Sequence, residues 1–250
     1  PNPQVLLASN PYQIRRAASG KLYAAANFGR MWTSVDTGRN WIQEISLPQG
    51  QNYSSLATWA FDISPSGKFL TMGQNGVLAD STAGSPWKSN YSMQVTGGYG
   101  KIEFADCNNA IASGGSSIAV TNDGGKNWFD RTRSDFTSLN ISINSHTYVP
   151  NDPTKAYFAT SVGTIYKSTN MNVIPPAVPT LDPVFANANE QIFDVATAGV
   201  DSVWGCGYSG FSVAAASRSP KIFRSVNGGL TWTTLATFPV GTTSQQFTQI

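Results

Sequence analysis

Short stretches in which apolar and polar residues alternate are spaced along the chain, and Gly, Pro, Asn, Asp or Ser bound most of them. Alternation with a period of two is typical of half-buried β-strands, and the bounding residues are those that form tight turns. We find no convincing 3.6-residue period, so we predict an all-β chain. The predicted inner strand pairs are Gln13–Ala18 with Lys21–Asn27, Trp59–Ser64 with Lys68–Gln74, Lys101–Asp106 with Ala110–Gly114, Ser145–Pro150 with Lys155–Thr160, and Gln191–Ala196 with Ser202–Tyr208.

An eight-residue motif follows three of these strand pairs. Residues 34–41, 121–128 and 225–232 fit Ser/Thr-x-Asp-x-Gly-x-x-Trp, except that Asn replaces Asp in the last. The Asp or Asn oxygen can accept hydrogen bonds from its own turn, the Gly supplies a positive φ, and the Trp fills apolar space. We therefore interpret the motif as a stabiliser of the fold and not as an active site. Its residues are Ser34, Asp36, Gly38, Trp41, Thr121, Asp123, Gly125, Trp128, Ser225, Asn227, Gly229 and Trp232.

Two weaker copies lie in the gaps between the intact motifs. Residues 80–87 keep Gly84 and Trp87, and residues 168–172 keep Ser168 and an Asn at the Asp position. With positions 38, 84, 125, 172 and 229 taken as the Gly position, the copies lie 46, 41, 47 and 57 residues apart. A period in the forties with a recurring turn predicts the four-stranded antiparallel blades of a β-propeller.

We predict a single β-propeller domain over residues 1–250 with five countable blades. The repeats cover approximately 10–48, 55–95, 98–135, 140–185 and 190–240, and a closing or continuing strand follows at 241–250. The ends do not close this count neatly, so a six- or seven-bladed ring, of which this chain is a part, stays open as the alternative.

The motif resembles the Asp-box, or bacterial neuraminidase (BNR), repeat, and the resemblance covers essentially the whole chain through its period. This repeat is shared by sialidases, xyloglucanase-type glycoside hydrolases, sortilin-like receptors, photosystem assembly factors and many phage or secreted propellers. The resemblance implies a sialidase-like fold but not sialidase activity. Arg15 and Arg16 lack the Pro of the family's arginine motif, and the arginine triad is not assembled.

Another kind of glycosidase would need two carboxylates on either side of the bond that is broken. Inner strands line the channel of a propeller, and their acids are the weak catalytic candidates. These are Asp62, Glu103 and Asp194, with Asp106 beside them. The alternative, which we favour, is that these acids bond to neighbouring backbone groups or to basic side chains around the channel.

The loops opposite the motif turns are the expected binding face, because propellers usually present ligand sites there. Their rings could stack on sugars while nearby amides and hydroxyls bond the sugar edges, or they could simply fill gaps between blades. The candidates are Tyr53, Trp59, Tyr91, Tyr99, Tyr208 and Phe211. Two insertions interrupt the regular repeat: the stretch 173–183 is too Pro-rich for a central strand and is expected to be an extended surface loop, and the stretch 207–220 lengthens a loop between two strands.

Composition narrows the classes of function. The net charge of +2 comes from 16 basic and 14 acidic residues, which argues against a nucleic-acid partner. Apolar runs are far too short for a membrane span. Only 12% of residues are charged, which suits a secreted protein or a component of a virus particle. The start at Pro1 indicates either a removed leader or a piece of a longer polypeptide.

The residues that usually bind metals or catalyse reactions are scarce. Cys107 and Cys206 have no His or Cys at metal-ligand spacing, and we predict two buried thiols. His146 is the only histidine, and we interpret it as structural. We predict no metal site and no cofactor.

Three functional hypotheses follow. The leading one is a non-catalytic recognition or structural propeller, extracellular or on a virus particle, that binds a glycan or a protein receptor through the loop face. The second is a glycoside hydrolase that uses the channel carboxylates. The third is an assembly-factor type of scaffold, for which surface contacts in a larger assembly are what matters.

Overall fold

Five four-stranded sheets make up nearly all of the regular structure in the computed structural model. It describes residues 11–26, 30–46, 60–72, 78–82, 88–90, 100–173, 179–209 and 218–237. The strands of every sheet follow one another in chain order, as in an antiparallel meander. The chain divides into two compact units, Pro1–Ala112 with Thr121–Asp130, and Ser113–Val120 with Arg131–Ile250.

The first three sheets account for strands β1 to β12. The first sheet contains β1 (Pro11–Arg16), β2 (Leu22–Ala26), β3 (Arg30–Ser34) and β4 (Ile42–Ser46). The second contains β5 (Ala60–Ile63), β6 (Lys68–Met72), β7 (Leu78–Thr82) and β8 (Lys88–Asn90). The third contains β9 (Lys101–Phe104), β10 (Ala110–Gly114), β11 (Ser117–Thr121) and β12 (Phe129–Asp130).

A short helix and two longer sheets follow. Helix α1 (Ser134–Ser138) comes directly before the fourth sheet. That sheet contains β13 (Ile143–Val149), β14 (Asp152–Thr160), β15 (Thr164–Ser168) and β16 (Asp182–Ala186). The fifth contains β17 (Glu190–Ala198), β18 (Ser202–Ser209), β19 (Ser219–Ser225) and β20 (Thr233–Thr237).

The tight turns of these sheets lie where turn-forming residues predict them. Between β5 and β6, the Ser64 N–H donates to the Lys68 carbonyl at 2.8 Å across Pro65-Ser66-Gly67. Gly67 has a φ of +81°, in the left-handed region that glycine enters without steric strain. The paired strands therefore agree with the predicted inner pairs to within a few residues.

Apolar side chains join neighbouring sheets within each unit. In the second unit, the fourth and fifth sheets enclose a core that contains the following residues: Val149, Tyr157, Ala159, Ile165, Ile192, Val195, Val203 and Phe223. In the first unit, the ring of Phe69 stacks on Phe61 and contacts Tyr23, whose centroid is 4.7 Å away. These interlayer cores are what the alternation of apolar residues predicts.

Three local features differ from the sequence predictions. Helix α1 was not predicted, because five residues are too few to show a helical period; buried Phe136 packs on Tyr166. Cys107 is exposed, not buried, because it lies in the turn between β9 and β10. Pro183 belongs to a strand, but β16 is an outer strand, where a missing N–H is tolerated. The predicted strand at 241–250 lies outside the described residues.

Candidate functional site

The three intact motifs form turns with one hydrogen-bond pattern. The Ser34 hydroxyl donates to Asp36 Oδ1 at 2.8 Å and accepts from the Gly38 N–H at 2.9 Å. Asp36 Oδ1 also accepts from the Asn40 N–H at 2.9 Å. The other two turns repeat these bonds with Thr121, Asp123, Gly125 and Asn127, and with Ser225, Asn227, Gly229 and Thr231.

Two of these turns contain a carboxylate whose pKa is lowered. The backbone and side-chain N–H groups of Asn40 lower the pKa of Asp36 to about 2. Partial burial raises the pKa of Asp123, but hydrogen bonds from Asn127 and Thr121 outweigh burial and keep that pKa below its ordinary value. The charge is therefore fixed by the turn and is not poised for proton transfer.

The motif turn of the fifth sheet also attaches that sheet to the fourth. In the second unit, Trp232 Nε1 donates to the Val184 carbonyl at 3.0 Å. The Tyr157 hydroxyl and the Lys167 ammonium group both donate to the Gly228 carbonyl at 2.9 Å. Burial raises the pKa of Tyr157 to about 12, so the hydroxyl keeps its proton. These contacts give the motif a structural role.

The fourth motif keeps the bonds of its Ser and Asn, although an insertion interrupts it. The Ser168 hydroxyl donates to Asn170 Oδ1 at 3.2 Å, and this oxygen accepts from the Thr180 N–H at 2.8 Å. The same bond spans four residues in the intact turns and ten residues here. Leu181, which is 5% exposed, follows Thr180 where the other turns have Trp. The Val173 N–H donates to the Asn170 carbonyl at 3.2 Å, as the Arg39 N–H does to Asp36 and the Leu230 N–H to Asn227, so position 172 keeps the place of the Gly and the insertion follows it.

Two arginines hold the ends of this interrupted connection. Arg131 Nη2 donates to the Val173 carbonyl at 3.3 Å, and Arg133 Nη1 donates to the Leu181 carbonyl at 2.8 Å. Asp135 accepts two bonds from the Arg133 guanidinium, at 2.8 and 2.6 Å, which fixes its orientation. The segment around α1 thus braces the connection between β15 and β16.

Asp62 lies on an inner strand, as predicted, and both of its oxygens accept hydrogen bonds. Oδ1 accepts from Arg15 Nε at 3.1 Å, and Oδ2 accepts from the Phe104 N–H at 2.7 Å. Burial raises the pKa of Asp62 even though the Phe104 N–H and the Arg15 guanidinium lower it. The side chain therefore connects β5 with both β1 and β9.

The remaining predicted acids are also bonded to their neighbours. Glu103 pairs with Lys101 at 3.7 Å. Asp194 accepts from the Ser145 hydroxyl of β13 and from the Val195 N–H, the latter at 2.9 Å. Asp106 lies in the turn after β9 rather than on the strand, and both Asn108 and Asn109 donate to it. The paired arrangement agrees with the structural alternative for these acids.

The lone histidine and the buried cysteine lie inside the second unit. His146 Nδ1 is 2.6 Å from the Ser113 hydroxyl, and both residues are buried. Burial, together with the nearby Asp194 carboxylate, raises the pKa of the Cys206 thiol to about 12. Neither cysteine forms a disulfide. A thiol that stays protonated is a poor nucleophile and metal ligand.

A group of polar side chains lies at the end of the fifth sheet opposite its motif turn. We name this group the loop-end cluster, and it consists of Asn187, Glu190, Gln191, Tyr208, Arg218 and Lys221. The strand register pairs Glu190 with Ser209 and Gln191 with Tyr208, so successive residues point to opposite faces of the sheet.

One face of the cluster holds a buried ion pair. Lys221 Nζ donates to Glu190 Oε1 at 2.6 Å, and the Glu190 side chain is 2% exposed. Glu190 Oε2 has no hydrogen-bond partner among the described residues. The close approach of the Asn187 and Glu190 carbonyls to Gly163, where a Cβ would lie 2.1 and 2.5 Å away, explains why glycine occupies that position.

The other face of the cluster carries an arginine above a buried ring. The Arg218 guanidinium carbon lies 4.6 Å from the centroid of Tyr208, whose hydroxyl donates to Gln191 Oε1. The Phe193 ring packs 5.2 Å from Tyr208. Within the described part of the chain, Arg218 Nε has no acceptor. The cluster therefore presents cationic and amide donors, which suit carbonyl and carboxylate groups.

Tyr208 does not suit the stacking role predicted for it. The residue is 2% exposed and is covered by Arg218 and Phe193, so its ring offers no face to a sugar. The other residues of the loop-end cluster were not predicted, because only aromatic side chains were considered as ligand-binding candidates. What these residues share is that neighbouring strands bring their charged and polar side chains together. The other predicted aromatic residues and two motif residues lie outside the described residues: Tyr53, Trp59, Tyr91, Tyr99, Phe211, Gly84 and Trp87.

Among the described residues, no group of three or more His, Cys, Asp or Glu side chains is arranged to hold a metal ion. No helix within the same ranges has the length and apolar character needed to cross a membrane.

Solved structures resemble this chain in fold, whereas no family model and no curated protein matches it. An ancestral GH74 enzyme aligns over 92% of this chain with a TM-score of 0.69 and 11% identity; the match covers 34% of that enzyme, about a third of its length. The WD40 β-propeller domain of Doa1 aligns over 92% of this chain and 68% of its own, with a TM-score of 0.62 and 15% identity.

A third structure, YCF48 bound to D1 peptide, aligns over 90% of this chain and 84% of its own, with a TM-score of 0.55 and 12% identity. These neighbours and the five sheets confirm the predicted β-propeller of four-stranded antiparallel blades, with five blades in this chain. At such identities the likeness concerns the fold alone.

Proposed function

We propose that this chain is a non-catalytic propeller of the Asp-box type that binds a protein partner through its loop-end cluster. The observation that carries the proposal is Arg218, which is held over Tyr208 at the end of the fifth sheet. Its Nε lacks an acceptor among the described residues, so a donor is buried without compensation. Arg218 itself is partly exposed, so a carbonyl or carboxylate of a partner can accept a hydrogen bond from its guanidinium group.

A protein suits this cluster better than a glycan does. Sugar recognition by aromatic residues needs an open ring face, and Tyr208 has none. Lys221 and Arg218 offer charge-assisted donors of the kind that bind acidic or backbone groups of peptides. YCF48, which shares the fold, was solved with a bound peptide. A location outside the cell or on a virus particle is part of this proposal and rests on the low content of charged residues.

A displayed peptide library tests the proposal. We expect the unaltered chain to select acidic peptides and Arg218→Gln to weaken their binding about tenfold, as the loss of one charged hydrogen bond predicts. Lys221→Gln combined with Glu190→Gln removes both charges of the buried pair together, so neither is left uncompensated. This double variant should also bind more weakly.

The matched control is Lys155→Gln, which removes an exposed ion pair with Asp152 near the opposite end of a sheet and should leave binding unchanged. A chain that selects no peptide but binds sugars on a glycan array would refute the protein-binding form of the proposal.

A glycoside hydrolase is the second candidate, and the raised pKa of Asp62 on an inner strand favours it, because a general acid needs a pKa above the ordinary value of a carboxyl group. Turnover of chromogenic glycosides should then disappear in Asp62→Asn. Turnover that persists when Asp62, Glu103 and Asp194 are all replaced by their amides would exclude this candidate.

A further inference from the structure

The motif turn of the fifth sheet contains an asparagine followed directly by a glycine, Asn227-Gly228. The interrupted fourth turn also has an asparagine at this position, Asn170, but Met171 follows it. An asparagine loses its side-chain amide when the backbone nitrogen of the next residue attacks its Cγ atom, and a glycine has no side chain to hinder that attack. Of the two asparagines, Asn227 is therefore the one whose local sequence favours deamidation.

This reaction needs only water besides the chain itself. A bond forms between the Gly228 nitrogen and Asn227 Cγ while the bond from Cγ to Nδ2 breaks. The amide group leaves as ammonia with the proton of the Gly228 nitrogen, and a five-membered succinimide ring remains. Water then opens the ring. Attack at Cγ yields aspartate, whereas attack at the Asn227 carbonyl carbon yields isoaspartate, in which the backbone runs through the former side chain.

The folded turn holds both reacting groups in hydrogen bonds. Asn227 Oδ1 accepts from the Ser225 hydroxyl and from the Thr231 N–H, both at 2.9 Å. Asn227 Nδ2 donates to the Thr231 hydroxyl at 2.8 Å. The Gly228 N–H donates to the Asp201 carbonyl at 2.9 Å. The attack would have to break this last bond and rotate the Asn227 amide away from its partners.

The fourth sheet holds the same glycine through its carbonyl group. The Tyr157 hydroxyl and the Lys167 ammonium group both donate to the Gly228 carbonyl at 2.9 Å, and Gly228 is buried. A buried segment that is bonded in this way opens only rarely in the native state. The rate of deamidation in the folded chain is therefore set by how often the turn opens.

We propose that Asn227 is a deamidation site that the folded turn protects, and that opening of the turn exposes it to irreversible conversion. The aspartate product is compatible with the fold, because Asp36 and Asp123 have this position in two other turns. The isoaspartate product is not compatible, because it lengthens the backbone before Gly228 and displaces the bonds of the turn. The isoaspartate content of an aged sample therefore increases with the time for which the turn has been open.

Mass spectrometry of aged samples tests the protection. The unaltered chain is kept at mildly alkaline pH, either folded in buffer or unfolded in guanidinium chloride, and is then digested with trypsin. Cleavage after Arg224 gives the peptide 225–250, in which Asn227 is the only asparagine. We expect its conversion to be at least about tenfold slower in the folded chain, because the reaction must wait for the turn to open. Equal rates in the two states would overturn the proposal.

Thr231→Ala tests the hydrogen bond that holds the Asn227 amide. Loss of this bond should raise the rate in the folded chain several-fold and leave the rate in the unfolded chain unchanged. Thr234→Ala, at an exposed position on β20, is the matched control and should change neither rate. No acceleration by Thr231→Ala, or equal acceleration by both substitutions, would show that the turn does not protect Asn227.

Two further measurements do not depend on whether a variant folds. In the unfolded chain, Gly228→Ala should slow the conversion of Asn227 several-fold, towards the rate at Asn170; an unchanged rate would refute Asn227-Gly228 as the reactive pair. When guanidinium chloride is removed from the aged unaltered chain, molecules with aspartate should refold and molecules with isoaspartate should not. Complete refolding of the isoaspartate fraction would contradict the proposed irreversible loss of the turn.

Discussion

The motif turns of the two units share their main hydrogen bonds but close them with different pairs of side chains. In the first unit, Asp36 and Asp123 accept from the side-chain amides of Asn40 and Asn127, at 2.5 and 2.6 Å. In the second unit, Asn227 instead donates its amide N–H to the Thr231 hydroxyl at 2.8 Å. The interrupted fourth turn has the same pair of residue types, Asn170 and Thr180.

This comparison separates what the turn requires from what it tolerates. Every turn needs an oxygen two residues after Ser or Thr that accepts from a backbone N–H further along the chain. The charge on that side chain is not required. The residue that bonds to this side chain differs accordingly. A carboxylate needs a hydrogen-bond donor such as the Asn amide, whereas the amide N–H of an Asn can donate to a Thr hydroxyl.

The largest effect is expected from Leu181, the residue in the Trp position of the interrupted turn. Leu181→Ala should lower the free energy of unfolding by about 2 to 5 kcal/mol, because a buried side chain is removed and a cavity remains. Chemical denaturation measures this change. Leu230→Ala, at an 82% exposed position in the intact fifth turn, should change stability by less than about 0.5 kcal/mol. A similar loss for both would mean that Leu181 does not replace Trp.

The next largest effect on stability is expected from substitutions of the motif glycines, which lie close to different side chains in the two units. Gly125 and Gly229 have φ values of +87° and +91°, so Ala at either position is strained by about 1 to 2 kcal/mol. A Cβ at 229 would lie 3.2 Å from Val184 Cβ, which cannot move without its backbone, whereas a Cβ at 125 would meet the mobile methyl groups of Leu70 at 3.0 Å. Gly229→Ala should therefore be the more destabilising of the two substitutions.

Gly67 provides the control for conformational strain alone. Its φ is +81°, and a Cβ there would meet nothing within 4 Å. If Gly67→Ala and Gly229→Ala shift the unfolding midpoint equally, the packing explanation fails.

The smallest effect on stability is expected when the Asn–Thr pair of the second unit's turn replaces an Asp–Asn pair in a turn of the first unit. Asp123→Asn alone sets two amide donors against each other and should destabilise the chain by about 0.5 to 1.5 kcal/mol. Adding Asn127→Thr recreates the pair of Asn227 with Thr231 and should recover most of this loss. A double-mutant cycle in urea measures the coupling, and independent effects of the two substitutions would contradict it.

The doubly substituted turn should also respond less to acid. Because the pKa of Asp123 is lowered in the folded state, its contribution to stability is present above the unfolded value near 3.8 and is lost as the pH falls through the lowered folded value. Between pH 7 and about pH 2.5, the melting temperature of the double variant should therefore fall less than that of the unaltered chain. Equal falls would show that the charge of Asp123 does not stabilise the turn.

The sequence predicted the repeated sheets well, because strand alternation and turn chemistry act over only a few residues. It placed Asp62 correctly on an inner strand but could not show that Arg15 and the Phe104 N–H occupy its two oxygens. Those partners lie more than forty residues away in the chain, so only the arrangement of sheets brings them together. The same holds for Tyr208, whose covering groups are Phe193 of β17 and Arg218, the residue before β19.

By itself, the sequence determined the five repeats and the three intact motif turns, since every bond that closes such a turn lies within one eight-residue stretch. The tertiary structure decided what no local pattern encodes. It brought Thr180 to Asn170 across an insertion and paired Lys221 with buried Glu190. The physical reason is that hydrogen bonding and burial depend on distance in space, and packing the sheets sets that distance independently of separation along the chain.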